Sequence, residues 1–261
     1  MVMLLYRLLI ELTNQKTVSL VLRKFSQSKI SSALIPSFAR VFKLNKEEME
    51  QQIHTFETLH DLFIRKLKVG SRPIDQSPNS VVSPVDGVLE DIGTISASKL
   101  IEVKGKQYSI AEMLGQEDIL RKYSEGTFII LYLSPSHYHR IHSPVSGVLT
   151  KQWTLGSKSY PVNKLGLKYG KAPLSKNYRT ISEVKHDNGH VAIVKVGAMF
   201  VNSIETTHLS DTITKGEEIA YFSFGSTVVL LFEKDSFSPL ASTRRKTEIR
   251  VGEMIGYLTK I

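Results

Sequence analysis

Cysteine is absent from all 261 residues. That excludes disulfides, thiolate nucleophiles and cysteine-ligated zinc, and it fits a reducing compartment. Long apolar runs are missing too. The first hydrophobic stretch, Leu4 to Leu12, is interrupted by Arg7 and Glu11, so it falls short of the ~20 residues that span a bilayer. No small-residue cleavage site follows before Lys16, so the stretch does not read as a secretory signal. Acidic residues are scarce at the N-terminus. Residues 1–46 hold eight Lys or Arg against one Glu, seven of the nine net positive charges. A nucleic-acid binder would carry basic stripes across its main domain. Here the excess sits on an apolar segment, which points to an anionic lipid surface and to no nucleic-acid partner.

What is present is ordinary for a globular chain: 41% hydrophobic and 23% charged residues, with a mean hydropathy of −0.09. That rules out a multi-span membrane protein. Leu4, Leu5, Leu8, Leu9 and Leu12, then Val18, Val21, Leu22 and Phe25, recur at helical spacing, so residues 1–42 read as amphipathic helices. A further helix is predicted from Lys46 to Lys68, with Asn45 as N-cap, a stripe of Met49, Ile53, Phe56, Leu59, Phe63 and Leu67, and Gly70 and Pro73 as its stop. His54 and His60 within it read as packing or surface residues. The expected division is an amphipathic, membrane-associating segment at 1–70 and a β-rich catalytic domain at 71–261.

From Arg72 onward, short β-type runs alternate with Gly, Pro, Asn and Ser turns. Ser83-Pro84-Val85-Asp86-Gly87-Val88-Leu89 resembles Ser143-Pro144-Val145-Ser146-Gly147-Val148-Leu149, and Lys215–Ala220 resembles Val251–Gly256. These patterns are similar to the hairpins of biotinyl- and lipoyl-type barrels. The expected fold class is therefore α+β, with an internally repeated β-rich sandwich or barrel body behind N-terminal amphipathic helices. Residues 151–190 read as a long loop in which Arg179, beside Asn177, could meet a phosphate or carboxylate, or stand as a solvated charge.

Phe222–Phe232 is an apolar run broken at Gly225-Ser226-Thr227. Glycine lets the backbone bend, so the Ser226 hydroxyl can approach the Gly225 carbonyl. Attack there turns the amide into an ester. Elimination then cuts the chain and leaves dehydroalanine, which hydrolyses to a pyruvoyl group. The alternative is a Gly-Ser bulge in a buried strand. Such a cut needs a base, and Ser136-His137-Tyr138-His139-Arg140-Ile141-His142 is the densest source of one. Asp86 is the best-placed carboxylate to orient it, unless it is simply a turn residue. His137 and His139 would share a strand face, which raises a metal site. No cysteine or nearby acid completes one, and no metal is expected.

Ser83-Pro84-Val85-Asp86-Gly87, Tyr138-His139-Arg140-Ile141-His142-Ser143-Pro144 and Phe224-Gly225-Ser226-Thr227 together resemble the three signature blocks of phosphatidylserine decarboxylases, in order and in spacing. Asn177-Tyr178-Arg179 resembles a looser block, usually Asn-Glu-Arg, and Val196-Gly197-Ala198 with Ser203-Ile204-Glu205 another. Phe224 stands where the family commonly has Leu, and Tyr178 where it has Glu. The resemblance covers Phe63 to the C-terminus and includes the basic N-terminus. It implies a self-processing triad of Asp86, His142 and Ser226, with cleavage between Gly225 and Ser226 into a β chain 1–225 and an α chain 226–261 that stay associated. It implies a covalent pyruvoyl group derived from Ser226 that forms a Schiff base with phosphatidylserine, His139 as proton donor, and phosphatidylethanolamine and CO2 as products. It also implies a homodimer and a peripheral place on the cytoplasmic face of the cell membrane. The rival readings are a Ser-His-Asp lipid hydrolase, in which Ser226 stays a hydroxyl, and a non-enzymatic membrane-binding β-domain.

Overall fold

The β-branched runs after Arg72 form strands, and the Gly, Pro and Asn clusters between them form the turns. The computed structural model describes residues 21, 23–103, 105–162, 166–167, 170–198, 204–208, 210–223 and 226–259. In chain order its strands are β1 Ser80–Val82, β2 Gly87–Thr94, β3 Leu100–Val103, β4 Lys106–Ser109, β5 Thr127–Leu133, β6 Arg140–His142, β7 Gly147–Leu155 and β8 Arg179–His186. They continue as β9 Gly189–Gly197, β10 Ile204–Thr206, β11 Thr212–Ile213, β12 Glu218–Phe222, β13 Ser226–Phe232, β14 Phe237–Pro239, β15 Thr247–Ile249 and β16 Met254–Leu258. An eight-stranded sheet, ordered β11-β7-β8-β9-β13-β5-β2-β15, carries β13 near its centre. On one face its core merges with side chains from the small sheets β1-β16-β14 and β10-β12-β6. On the other it packs against the β3–β4 hairpin and the helices Ile110–Leu114 and Glu117–Leu120. The α+β, β-rich class stands. The barrel alternative does not, because the large sheet is open, with β11 and β15 as its edges among the described residues.

The sequence repeats are structural. Ser83 Oγ donates to Val85 O and Ser143 Oγ to Val145 O. Ser83 N–H donates to Glu253 O and Ser143 N–H to Glu217 O, both at 2.8 Å. The two copies also meet reciprocally: Val82 N–H donates to Pro144 O and His142 N–H to Pro84 O. That reciprocity is the pattern of an approximate twofold. Asp86 and Ser146 hold the same post, each side chain accepting one backbone N–H, from Val251 and Lys215 respectively. His142 occupies the position of Val82 in the other copy.

The predicted helix Lys46–Lys68 does not form. The chain instead doubles back, with Met49 bridged to Leu67, Glu50 N–H donating to Lys66 O and Lys68 N–H to Glu48 O. Thr58 starts a new short helix, Leu59–Phe63, by accepting from Asp61 N–H. Asn45 accepts from Glu47 N–H in a turn rather than capping a helix. A mid-segment cap and a hairpin closure override the periodic stripe. Leu4, Leu5, Leu8, Leu9, Leu12, Val18 and Leu22 lie outside the described residues. Nearby, a 3-10 turn Lys29–Leu34 and a helix Ile35–Val41 join a small core of Ile35, Ala39, Met49, Phe56 and Leu62.

Candidate active site

Strand β13 is buried along its whole length, flanked by β5 and β9. Val228, Leu230 and Phe232 face one core and Val229 and Leu231 the other. Period-two alternation puts Ser226 on the Val228 face. Ser226 is the first residue of the strand, opposite Leu133 on β5 and Gly197 on β9. It is fully buried, and its Oγ has no hydrogen-bond partner among the described residues. Phe224 and Gly225, on the N-terminal side of the expected cut, lie outside the described residues.

The His139 end of the histidine cluster meets that junction, while His142, the expected base, pairs with Glu218 at the start of β12. Phe222, the last residue of β12, donates its N–H to His139 O at 3.0 Å, and Leu133, just before the histidine loop, opposes Ser226. The loop 134–139 therefore starts beside Ser226 and ends against Phe222. His137 and His139 are in this loop, not on a strand, and they diverge. Ser134 N–H donates to His137 Nδ1 at 3.0 Å, so the His137 proton is on Nε2, which reaches Glu248 at 3.2 Å. His139 is 0% exposed, stacks on Phe63 with centroids 3.9 Å apart, and donates Nδ1–H to His137 O at 2.9 Å. Its Nε2 is buried and has no hydrogen-bond partner among the described residues. Burial, and then the Arg65 charge, hold its pKa well below the usual imidazole value.

His142 uses Nδ1–H on Gly216 O at 2.8 Å, and its Nε2 is 3.4 Å from the Tyr138 hydroxyl. Burial lowers its pKa, and the Gly216 carbonyl, then the Glu218 and Asp86 charges, partly oppose that. Asp86 itself is held elsewhere. Arg72 clasps both its oxygens, at 2.8 and 2.5 Å, and Val251 N–H donates to Oδ1. Asp86 and His142 thus share a neighbourhood but no hydrogen bond, and the group that orients the His142 ring is the Gly216 carbonyl. A cavity of about 290 Å³ opens beside them, lined by Asp86, Arg65, Arg72, His137, Tyr138 and Arg250 among others.

Arg179 is neither a ligand site nor a solvated charge. It is 3% exposed and donates to the carbonyls of Met113, Asn177 and Glu112, pinning the helix Ile110–Leu114 to the sheet. Asn177 is equally structural, bonded to Tyr160 and Gly197. Sequence reasoning missed Arg65, Arg72, Tyr138 and Gly216. Arg65 stands four residues after Asp61, the spacing of a surface ion pair, yet Asp61 serves the Thr58 cap.

Comparison with known proteins follows the same lines. The family model described as phosphatidylserine decarboxylase matches residues 59–257. A phosphatidylserine decarboxylase proenzyme of Geobacillus sp. (strain WCH70) is 63% identical over 254 residues, 97% of this chain and 98% of its own. The proenzyme of Anoxybacillus flavithermus is 62% identical over 260 residues, 100% of this chain and 98% of its own. That of Bacillus thuringiensis is 58% identical over 251 residues, 96% of each chain.

Proposed function

The chain belongs to the phosphatidylserine decarboxylase family, and from that premise we propose how its own residues build and run the site. It is an enzyme, made as a proenzyme, that removes the carboxylate of phosphatidylserine as CO2 and leaves phosphatidylethanolamine. Ser226 Oγ attacks the carbonyl carbon of Gly225, and the acyl group passes from nitrogen to oxygen. Loss of the Ser226 α-proton then expels the Gly225 carboxylate and leaves dehydroalanine. Water adds, ammonia departs, and the α chain begins with a pyruvoyl group. His142 takes the hydroxyl proton through Nε2, since its Nδ1–H is committed to Gly216 O. Glu218 and then Asp86 support the resulting imidazolium by charge rather than by contact.

The observation that carries this reading is the fully buried Ser226 Oγ at the head of the central strand, which has no hydrogen-bond partner among the described residues. Such a group costs about 1–3 kcal/mol and calls for an explanation; a nucleophile poised at the cleavage junction supplies one. A pyruvoyl group there suits the site, because the His139 backbone meets the same junction and the ring's Nε2 also has no partner among the described residues. Once formed, it supplies a ketone for the substrate amine and an amide carbonyl that draws off the electron pair as CO2 leaves. Each turnover replaces a carboxylate with hydrogen and so consumes one proton, which His139 delivers. After cleavage the chains stay together, because β13 pairs on both sides with strands of the β chain.

The enzyme works at a membrane surface. Among the described residues no helix is long and apolar enough to cross a bilayer. Phe25, Ile30, Leu34 and Val41 are exposed apolar side chains on the basic N-terminal segment, which suits peripheral binding to anionic lipid on the cytoplasmic face. The deciding variant is Ser226→Ala. It should accumulate as one uncut chain that releases no CO2 from phosphatidylserine in mixed micelles. An uncut variant that still releases CO2 would overturn the reading.

A further inference from the structure

Arg65 is 5% exposed, yet among the described residues no carboxylate forms an ion pair with it. Its two terminal nitrogens donate to main-chain carbonyls, Leu62 O at 3.4 Å, Ser136 O at 2.9 Å and His137 O at 3.0 Å, while Nε has no partner among the described residues. Burying a charge without a counter-ion is costly. Burial lowers its pKa to about 10, so it remains a cation at neutral pH. The His137 carbonyl that it grips is the same oxygen that accepts His139 Nδ1–H. One acceptor is therefore held between the guanidinium and the imidazole. That fixes His139 as the Nδ1–H tautomer and leaves Nε2 bare.

The charges acting on the His139 ring are Arg65, which follows the helix Leu59–Phe63, and His137 in its own loop. Phe63, stacked on one face, and the Phe222 backbone bring none. An imidazolium in the empty site would be a second buried cation beside the guanidinium. A phosphatidylserine headgroup carries one net negative charge and offsets that repulsion.

Resting on the assignment of His139 as proton donor, we infer that Arg65 is the positioning residue of the decarboxylation step: through the shared His137 carbonyl it sets the His139 tautomer, and its charge stands against a second buried cation until the anionic substrate arrives. The test is nitrogen NMR of 15N-histidine-labelled, self-cleaved enzyme in micelles without substrate, comparing Arg65→Lys and Arg65→Met. Completed self-cleavage serves as the check on folding. In the parent enzyme His139 Nε2 should stay unprotonated near neutral pH. In Arg65→Met its titration should move up by about one pH unit. In Arg65→Lys, which keeps the charge but not the fork, the ring should stay neutral while kcat falls ~10-fold or more with KM within ~3-fold. Identical titration of His139 in the parent and in Arg65→Met overturns the inference. Should Arg65→Met not accumulate as cleaved protein, Arg65→Lys decides: a kcat loss with a neutral ring supports the inference, and an unchanged kcat sinks it. The NMR result stands even if His139→Ala decarboxylates at full rate, which would instead refute the donor assignment.

Discussion

At the scale of single residues, the two site histidines are held by carbonyls and differ in what their free nitrogens meet. His142 Nε2 lies near a hydroxyl, and His139 Nε2 has no hydrogen-bond partner among the described residues. The division of labour follows: His142→Ala should remain uncut, whereas His139→Ala should cut itself but decarboxylate ~10²–10⁴-fold more slowly. Gel mobility and CO2 release read the two steps separately, and matching defects in both variants would refute the division. Lys195 is a second buried oddity. It is 1% exposed on β9, diagonal to Ser226 across the β9–β13 pair, with Ser182 Oγ at 2.6 Å as its hydrogen-bond acceptor. Burial lowers its pKa to about 7 from 10.5. Between those values the unfolded chain holds a proton that the folded chain lacks, so this residue makes stability rise with pH across that window, by up to about 1.4 kcal/mol per unit. Urea titrations in the uncut Ser226→Ala background should show Lys195→Met flattening that slope. An unchanged slope would mean that the amine is protonated in the fold.

At the scale of elements, the repeat explains why one copy became a site. Gly216 and Gly252 are its paired turn residues, with φ of +82° and +85°, and Ile74 packs against both. A Cβ on Gly216 would come within 2.6 Å of Ile74 Cγ1, and the left-handed backbone costs an L-residue another ~1–2 kcal/mol. Only the Gly216 copy carries a histidine on its carbonyl. Gly216→Ala and Gly252→Ala should therefore destabilise by similar amounts, about 1–3 kcal/mol, while Gly216→Ala alone slows self-cleavage. Equal cleavage rates in the two variants would remove the Gly216 carbonyl from the account. Elements also mark where sequence reading failed. The stripe from Met49 to Leu67 is genuinely apolar, but Thr58 caps a fresh helix inside it and the chain folds back.

At the scale of the whole molecule, the legible parts were those written in local sequence. The Ser-Pro-Val-x-Gly repeats carry their geometry within a few residues, whereas the strand face expected for His137 and His139 is a loop. The clamps were not legible, because Arg65 reaches His137 across 72 positions and Arg72 reaches Asp86 across 14. Asp86 and His142, expected to pair, share no hydrogen bond, since Arg72 and Val251 already fill the carboxylate. The segment before residue 46 concentrates cations and exposed apolar side chains, so binding should scale with lipid charge. Flotation should carry the protein with vesicles rich in anionic lipid and lose most of it in ~0.5 M salt. Equal flotation with purely zwitterionic vesicles would contradict an electrostatic attachment.

The central claim is that this chain rewrites its own backbone at Ser226, and the mass of freshly purified protein tests it most directly. The account predicts two chains, 1–225 and 226–261, the smaller one lighter by one ammonia than simple hydrolysis would leave it and closed to stepwise N-terminal degradation. A single unbroken 29.4 kDa chain that still releases CO2 from phosphatidylserine would contradict it.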